Sequence, residues 1–229
     1  MFCGVPKPDN CAPVSASSTD KGLLTPQNCA VVFLEHQTQM LSAISGRERA
    51  DVLENVLVLA RTARIFDVPV ILSVLECKEF TGALTQELGE QFPQQEPLKC
   101  TSMNAWDDAR FVAAIKETGR PNFLLAALWS EACLVFPALQ MLEEGYGIYV
   151  VKDASWGTNA AAHETALRRV EQAGAVSLTA IQVLLELQRD WARPEHYEEV
   201  MAIVRPLGGV DSGEKNLLPA ATRDVDVKA

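Results

Sequence analysis

Three residues in this chain carry side chains that, brought together, would do acyl-transfer chemistry: Glu35 in "VVFLEHQ", Lys99 in "EPLKC" and Cys133 in "LWSEACLVF". The thiolate, not the thiol, is the nucleophile, and a free cysteine with a pKa of about 8.5 is only a few per cent ionised at neutral pH. Such a cysteine needs a base to take its proton and positive charge to favour the anion. Glu35 supplies the first; Lys99, aided by a helix N-terminus at the cysteine, supplies the second. A carboxylate alone would oppose the thiolate, so the glutamate makes sense chiefly within a Glu–Lys pair whose charges roughly cancel. Taken singly, each residue also has an ordinary role: a buried cysteine packs as a small hydrophobe, a glutamate at a strand end is solvated or caps a helix, and a lysine sits on the surface. Their joint placement is what raises the chemical reading.

That placement depends on the elements around them. "CAVVFL" (29–34), "PVILSVL" (69–75), "NFLLAAL" (122–128), "GIYVV" (147–151) and "GAVSL" (174–178) are continuous apolar runs, the pattern of parallel strands covered on both faces. Helical stripes fall between them: 47–66 aligns Leu53, Val56, Ala60 and Ala63, and 108–118 aligns Phe111, Val112 and Ile115 before stopping at Gly119. Strand–helix alternation with right-handed crossovers predicts a three-layer α/β/α sandwich, in which ligands bind beyond the carboxyl ends of the strands. Glu35 follows the first run, Lys99 a short segment "EPL", and Cys133 the run at 122–128, so one rim of the sheet would carry all three.

The remaining composition narrows the function further. With 229 residues the chain is long enough for one sizeable core, expected over 29–205, flanked by arms at 1–28 and 206–229 rich in polar residues, Pro and Gly. Six cysteines without a CxxC pair, and no secretory h-region, point to a reducing cytoplasm. No apolar run approaches a membrane span. A formal charge of -10 without a basic stripe argues against nucleic acid. Neither GxGxxG nor GxxxxGK[ST] is present, and the position six residues after Cys133 is Leu139 rather than the arginine of a tyrosine-phosphatase loop. The three histidines, His36, His163 and His196, lack ligand spacing, so no metal and no cofactor are expected. His36 reads as a structural hydrogen-bonding residue that borders the site, and His163 and His196 as solvated.

The segments "FLEHQ", "SMNAWDDARFVAAIKETG", "ALWSEACLVFPALQMLEEGYGIYVVKDASWGT" and "LELQRDWAR" resemble the isochorismatase-like cysteine hydrolase superfamily, closest to its YcaC-like branch, over 28–193. The resemblance implies a six-stranded parallel sheet in the order 3-2-1-4-5-6, a Rossmann-like isochorismatase fold, and an acid–lysine–cysteine triad falling on Glu35, Lys99 and Cys133. Relatives usually carry aspartate as the acid, so this chain's carboxylate reaches one methylene further. The family also implies a cis peptide before the nucleophile turn, here Trp129–Ser130, which would aim the backbone N–H groups of Trp129 and Cys133 at an oxyanion. His36, Asn104, Trp106, Trp129, Ser130 and Phe136 are further substrate-side candidates, although the aromatics serve core or subunit packing equally well.

Two functions follow from these readings. One is a cofactor-free hydrolase of small amides or esters that forms a thioacyl intermediate on Cys133. The other is a catalytically weak member acting as an oligomeric ligand-binding or assembly protein. The expected partners are a small-molecule substrate and further copies of the chain.

Overall fold

The computed structural model describes residues 22–77 and 82–208. Six parallel strands, β1 (Cys29–Leu34), β2 (Val70–Leu75), β3 (Leu98–Cys100), β4 (Asn122–Ala127), β5 (Gly147–Val151) and β6 (Val176–Leu178), form one sheet in the order β3-β2-β1-β4-β5-β6. The expected order and three-layer architecture are those of the molecule.

All six residues of β1 are buried, because helices cover both faces of the central strands. Cys29, Val31 and Phe33 alternate onto a cluster completed by α2 (Gly46–Ile65), α7 (Ala180–Gln188) and α8 (Tyr197–Gly208). Ala30, Val32 and Leu34 turn to the opposite cluster, built with α4 (Ala109–Glu117), α5 (Val135–Glu143) and α6 (Ala160–Gln172). Full burial of one such aliphatic side chain is worth roughly 1.5–3 kcal/mol, so these central strands contribute strongly to the core. Gly119 ends α4 with φ +63°, as a C′ glycine should.

The packed domain is slightly larger than the expected 29–205. Leu24 is fully buried, its N–H donates to Glu186 Oε1 at 2.6 Å, and its carbonyl accepts from Arg189 Nη2 at 2.6 Å. At the other end α8 runs to Gly208. The rest of both expected arms lies outside the described residues.

Strand order reverses between β1 and β4. Their registers place Leu34 opposite Ala127, and the Leu128 N–H donates to the Leu34 carbonyl at 3.0 Å. The chain therefore leaves both central strands side by side, with Glu35 on one exit and the segment 128–133 on the other.

Candidate active site at the carboxyl ends of β1 and β4

Glu35 is held in an unusual backbone state. Its φ of +62° lies in the left-handed region that non-glycine residues rarely occupy, at a cost of order 1–3 kcal/mol. Its N–H is tied to the Ser73 carbonyl at 3.0 Å, and its own carbonyl accepts from the Gln37 N–H at 2.7 Å, which turns the chain sharply off the sheet. Only 3% of Glu35 is exposed. Oε1 accepts from Ser73 Oγ at 3.1 Å, and Oε2 has no hydrogen-bond partner among the described residues. Burial raises the carboxyl pKa to about 7, against the opposing pull of the hydrogen bonds from Ser73 and the Leu75 backbone.

The nucleophile candidate comes from the other exit. After β4, Leu128 pairs with Trp156 as a bridge, and residues Ser130–Leu134 form a π-helical turn that runs straight into α5. The Val135 N–H reaches back to the Ser130 carbonyl, five residues earlier. Pro137, the third residue of α5, has no N–H and so donates no hydrogen bond back to the turn that carries Cys133. Cys133 is 3% exposed, and its N–H donates to the Trp129 carbonyl at 2.9 Å. Burial and then the charge of Glu35 push the thiol up to about 12, while the backbone N–H groups of Trp129 and Cys133 facing the sulfur pull the other way. Glu35 and Cys133 are thus electrostatic neighbours, and the resting site holds a thiol rather than a thiolate.

The third expected member is not with them. Lys99 Nζ pairs with Glu76 Oε2 at 3.2 Å, with the two side chains 61% and 46% exposed. It lines a cavity of about 400 Å³ that also takes in Glu76, Thr85 and Phe92. Alternation along β3 explains the correction: Lys99, opposite Val74, takes one face, and Cys100 takes the other. Ser73 Oγ, the donor to Glu35, lies 3.5 Å from Cys100 Sγ, and Glu35's charge acts on that thiol as well. Cys100, on the face opposite to Lys99, borders Ser73 instead.

Other expectations also need correcting. The cis peptide is Leu128–Trp129, one bond earlier than Trp129–Ser130, at the residue that bridges to Trp156. Asn104 caps a short 3-10 turn by accepting from the Trp106 N–H at 3.2 Å, and its Nδ2 donates to Gln140 Oε1 at 2.7 Å. Trp106 Nε1 donates to Glu144 Oε1 at 3.2 Å. Gln140 and Glu144 lie seven and eleven residues on from Cys133, so Asn104 and Trp106 fasten the middle and the end of α5. Phe136 and Trp129 pack partly buried, one against each core cluster. His36 is fully buried; its Nε2 lies 2.9 Å from the Ala154 carbonyl, and burial lowers its pKa to about 4. The neutral ring donates from Nε2 and leaves Nδ1 without a hydrogen-bond partner among the described residues.

His163 is not solvated but 8% exposed, with Nδ1 2.8 Å from Ser130 Oγ. Its register with Ala166 and Val170 on the buried face of α6 is the signal in the sequence that marks it. Ser73, the one hydroxyl in an otherwise apolar β2, carries a similar signal. Among the described residues no group of three or more His, Cys, Asp or Glu is placed to hold a metal ion, and no helix is long and apolar enough to cross a membrane.

Known proteins share this sequence pattern and this architecture. The isochorismatase domain model matches residues 29–182. The chain is 37% identical over 169 residues to the probable hydrolase YcaC of Escherichia coli, spanning 73% of this chain and 81% of that protein. The crystal structure of Escherichia coli YcaC, described as an octameric hydrolase of unknown specificity, superposes with a TM-score of 0.75 at 34% identity, over 81% of this chain and 92% of that one. YcaC from Pseudomonas aeruginosa, solved with hexane-2,5-diol and covalent acrylamide, gives 0.74 at 35% identity over 81% and 93%.

Proposed function

The chain belongs to the isochorismatase family, and from that membership we propose that it is a hydrolase of small-molecule amides or esters that works through a thioacyl intermediate on Cys133. The observation that carries this reading is the pairing of a buried thiol with a buried carboxyl group whose Oε2 is open to receive a proton. A general base works best with a pKa near the operating pH, and Glu35, at about 7, meets that condition.

In this mechanism the Glu35 carboxylate takes the Cys133 proton as sulfur attacks the carbonyl carbon. Charge develops on the carbonyl oxygen beside the backbone N–H of Trp129, while the Cys133 N–H, held by the Trp129 carbonyl in the resting site, would have to turn from it to share that role. The C–N or C–O bond then breaks, and Glu35 returns the proton to the departing amine or alcohol. Water, deprotonated by Glu35, attacks the thioester; the C–S bond breaks, and the sulfur recovers its proton. Lys99 has no part in the resting pair.

The covalent acrylamide in the Pseudomonas aeruginosa relative supports a nucleophile in this fold that a small amide-bearing electrophile can reach. The octameric Escherichia coli relative supports assembly of this chain into a homo-oligomer. The test is hydrolysis across a panel of small amides and esters, with Cys133→Ala as the blank. At least one compound should turn over in the native chain and none in the variant; equal turnover by both removes the proposal.

A further inference from the structure

The Ser130–His163 pair lies one helical turn from Cys133 and takes no part in the mechanism above. Ser130 is fully buried, and its Oγ stands 2.8 Å from His163 Nδ1. The ring also stacks on Trp156 with centroids 5.1 Å apart and planes at 24°. In the Nε2–H tautomer of the neutral ring Nδ1 is a lone pair, and the Ser130 hydroxyl donates to it.

The same turn is fastened at two further points. The Ser130 N–H donates to the Trp156 carbonyl at 2.9 Å, and Glu131 Oε1 accepts from the Thr158 N–H at 3.0 Å. Gly157 lets these parts meet, since a Cβ there would lie 2.7 Å from Glu131 Oε2 and 2.8 Å from the His163 nitrogen. The π-turn that carries Cys133 has an irregular hydrogen-bond ladder, so its geometry depends on such outside ties.

We propose that His163 is a positioning residue that acts through Ser130, setting the orientation of the π-turn and hence of the Cys133 sulfur. This rests on the reading of Cys133 as the nucleophile, and displacement of a reacting atom by about 1 Å is enough to cost on the order of a hundredfold in rate. From α6, His163 meets two further elements, the exit of β4 at Ser130 and the segment after β5 at Trp156.

The test is the rate of acrylamide addition to Cys133 against pH, resolved by peptide mass spectrometry, with Cys77 as internal reference and thermal melting in parallel. Ser130→Ala and His163→Ala should each slow addition at Cys133 about tenfold without altering Cys77. The double variant should be no slower than either single one, because the two side chains act as one unit. His163→Asn, whose Oδ1 falls near the place of Nδ1 and accepts the same hydrogen bond, should recover the rate to within about threefold. Unchanged Cys133 rates in folded Ser130→Ala and His163→Ala would overturn the assignment, and so would multiplicative losses in the double variant. Loss of fold in every variant, His163→Asn included, would make the pair a stabilising contact only and overturn it too. If native Cys133 takes no acrylamide at any pH, the nucleophile assignment itself fails and the positioning role falls with it.

Discussion

Glu35 leans on Ser73, whose hydroxyl donates to Oε1 at 3.1 Å, while Oε2 stays without a hydrogen-bond partner among the described residues. One oxygen is anchored and the other is open, the arrangement a proton acceptor needs. With its pKa raised by burial to about 7, activity should climb through a limb centred near neutral pH as the carboxylate forms. Glu35→Gln should abolish that limb and lower kcat/KM by about a hundredfold or more. A Glu35→Gln profile that keeps the native limb would assign it to another group.

The same carboxyl should also register in stability. A folded pKa above the unfolded one means that the native state holds a proton the unfolded chain has released, so ΔG of unfolding falls as pH rises from about 4.5 to about 7. The full effect is on the order of 3 kcal/mol. His36 acts with the opposite sign: its lowered folded pKa removes stability as pH drops from about 6.5 towards about 4. The two slopes offset each other in the native protein, so the informative quantity is the difference between Glu35→Gln and native melting curves. That difference should grow in favour of the variant from pH 5 to pH 8; a flat difference contradicts the buried carboxyl.

The phase of β3 has a kinetic consequence. Lys99 spends its charge on Glu76 in solvent, where such a pair is worth about 0–1 kcal/mol, while Cys100 stands beside Ser73. Lys99→Met should therefore lower kcat/KM by less than about tenfold, far less than Glu35→Gln. A loss as large as that of Glu35→Gln would mean that the lysine enters the crevice during turnover.

Five of the strands are legible in the sequence because a short, unbroken apolar run between turn residues suits little besides a strand covered on both faces, whereas the sheet order is implied by the family resemblance and not by the runs themselves. Both central exits, carrying Glu35 and Cys133, follow from those runs. β3 is harder. It is three residues long, and a one-residue shift in such a strand exchanges Lys99 for Cys100 beside Ser73. His163 is obscured for a related reason: its helix is polar overall, and only the spacing to Ala166 and Val170 marks the buried stripe. Asn104 and Trp106 belong to a motif whose role is to fasten the middle and the end of α5, and residue type alone does not separate that from binding.

Gly157 offers a stability check independent of any substrate. An alanine there would press its Cβ against the His163 backbone at 2.8 Å, which cannot retreat as a side-chain tip can. Overpacking of this kind costs about 1–3 kcal/mol, which for a chain of this size lowers the melting temperature by roughly 3–10 °C. An unchanged melting temperature would show that the contact between the π-turn and α6 is looser than described.

The central claim is that Cys133 carries the acyl group during turnover, and the most direct measurement is rapid acid quenching of a reacting sample followed by peptide mass spectrometry. With any compound the protein hydrolyses, the peptide containing Cys133 should gain the mass of the acyl fragment, and hydroxylamine should remove it. Acyl mass on a different residue, or hydrolysis that continues undiminished in Cys133→Ala, would contradict the account.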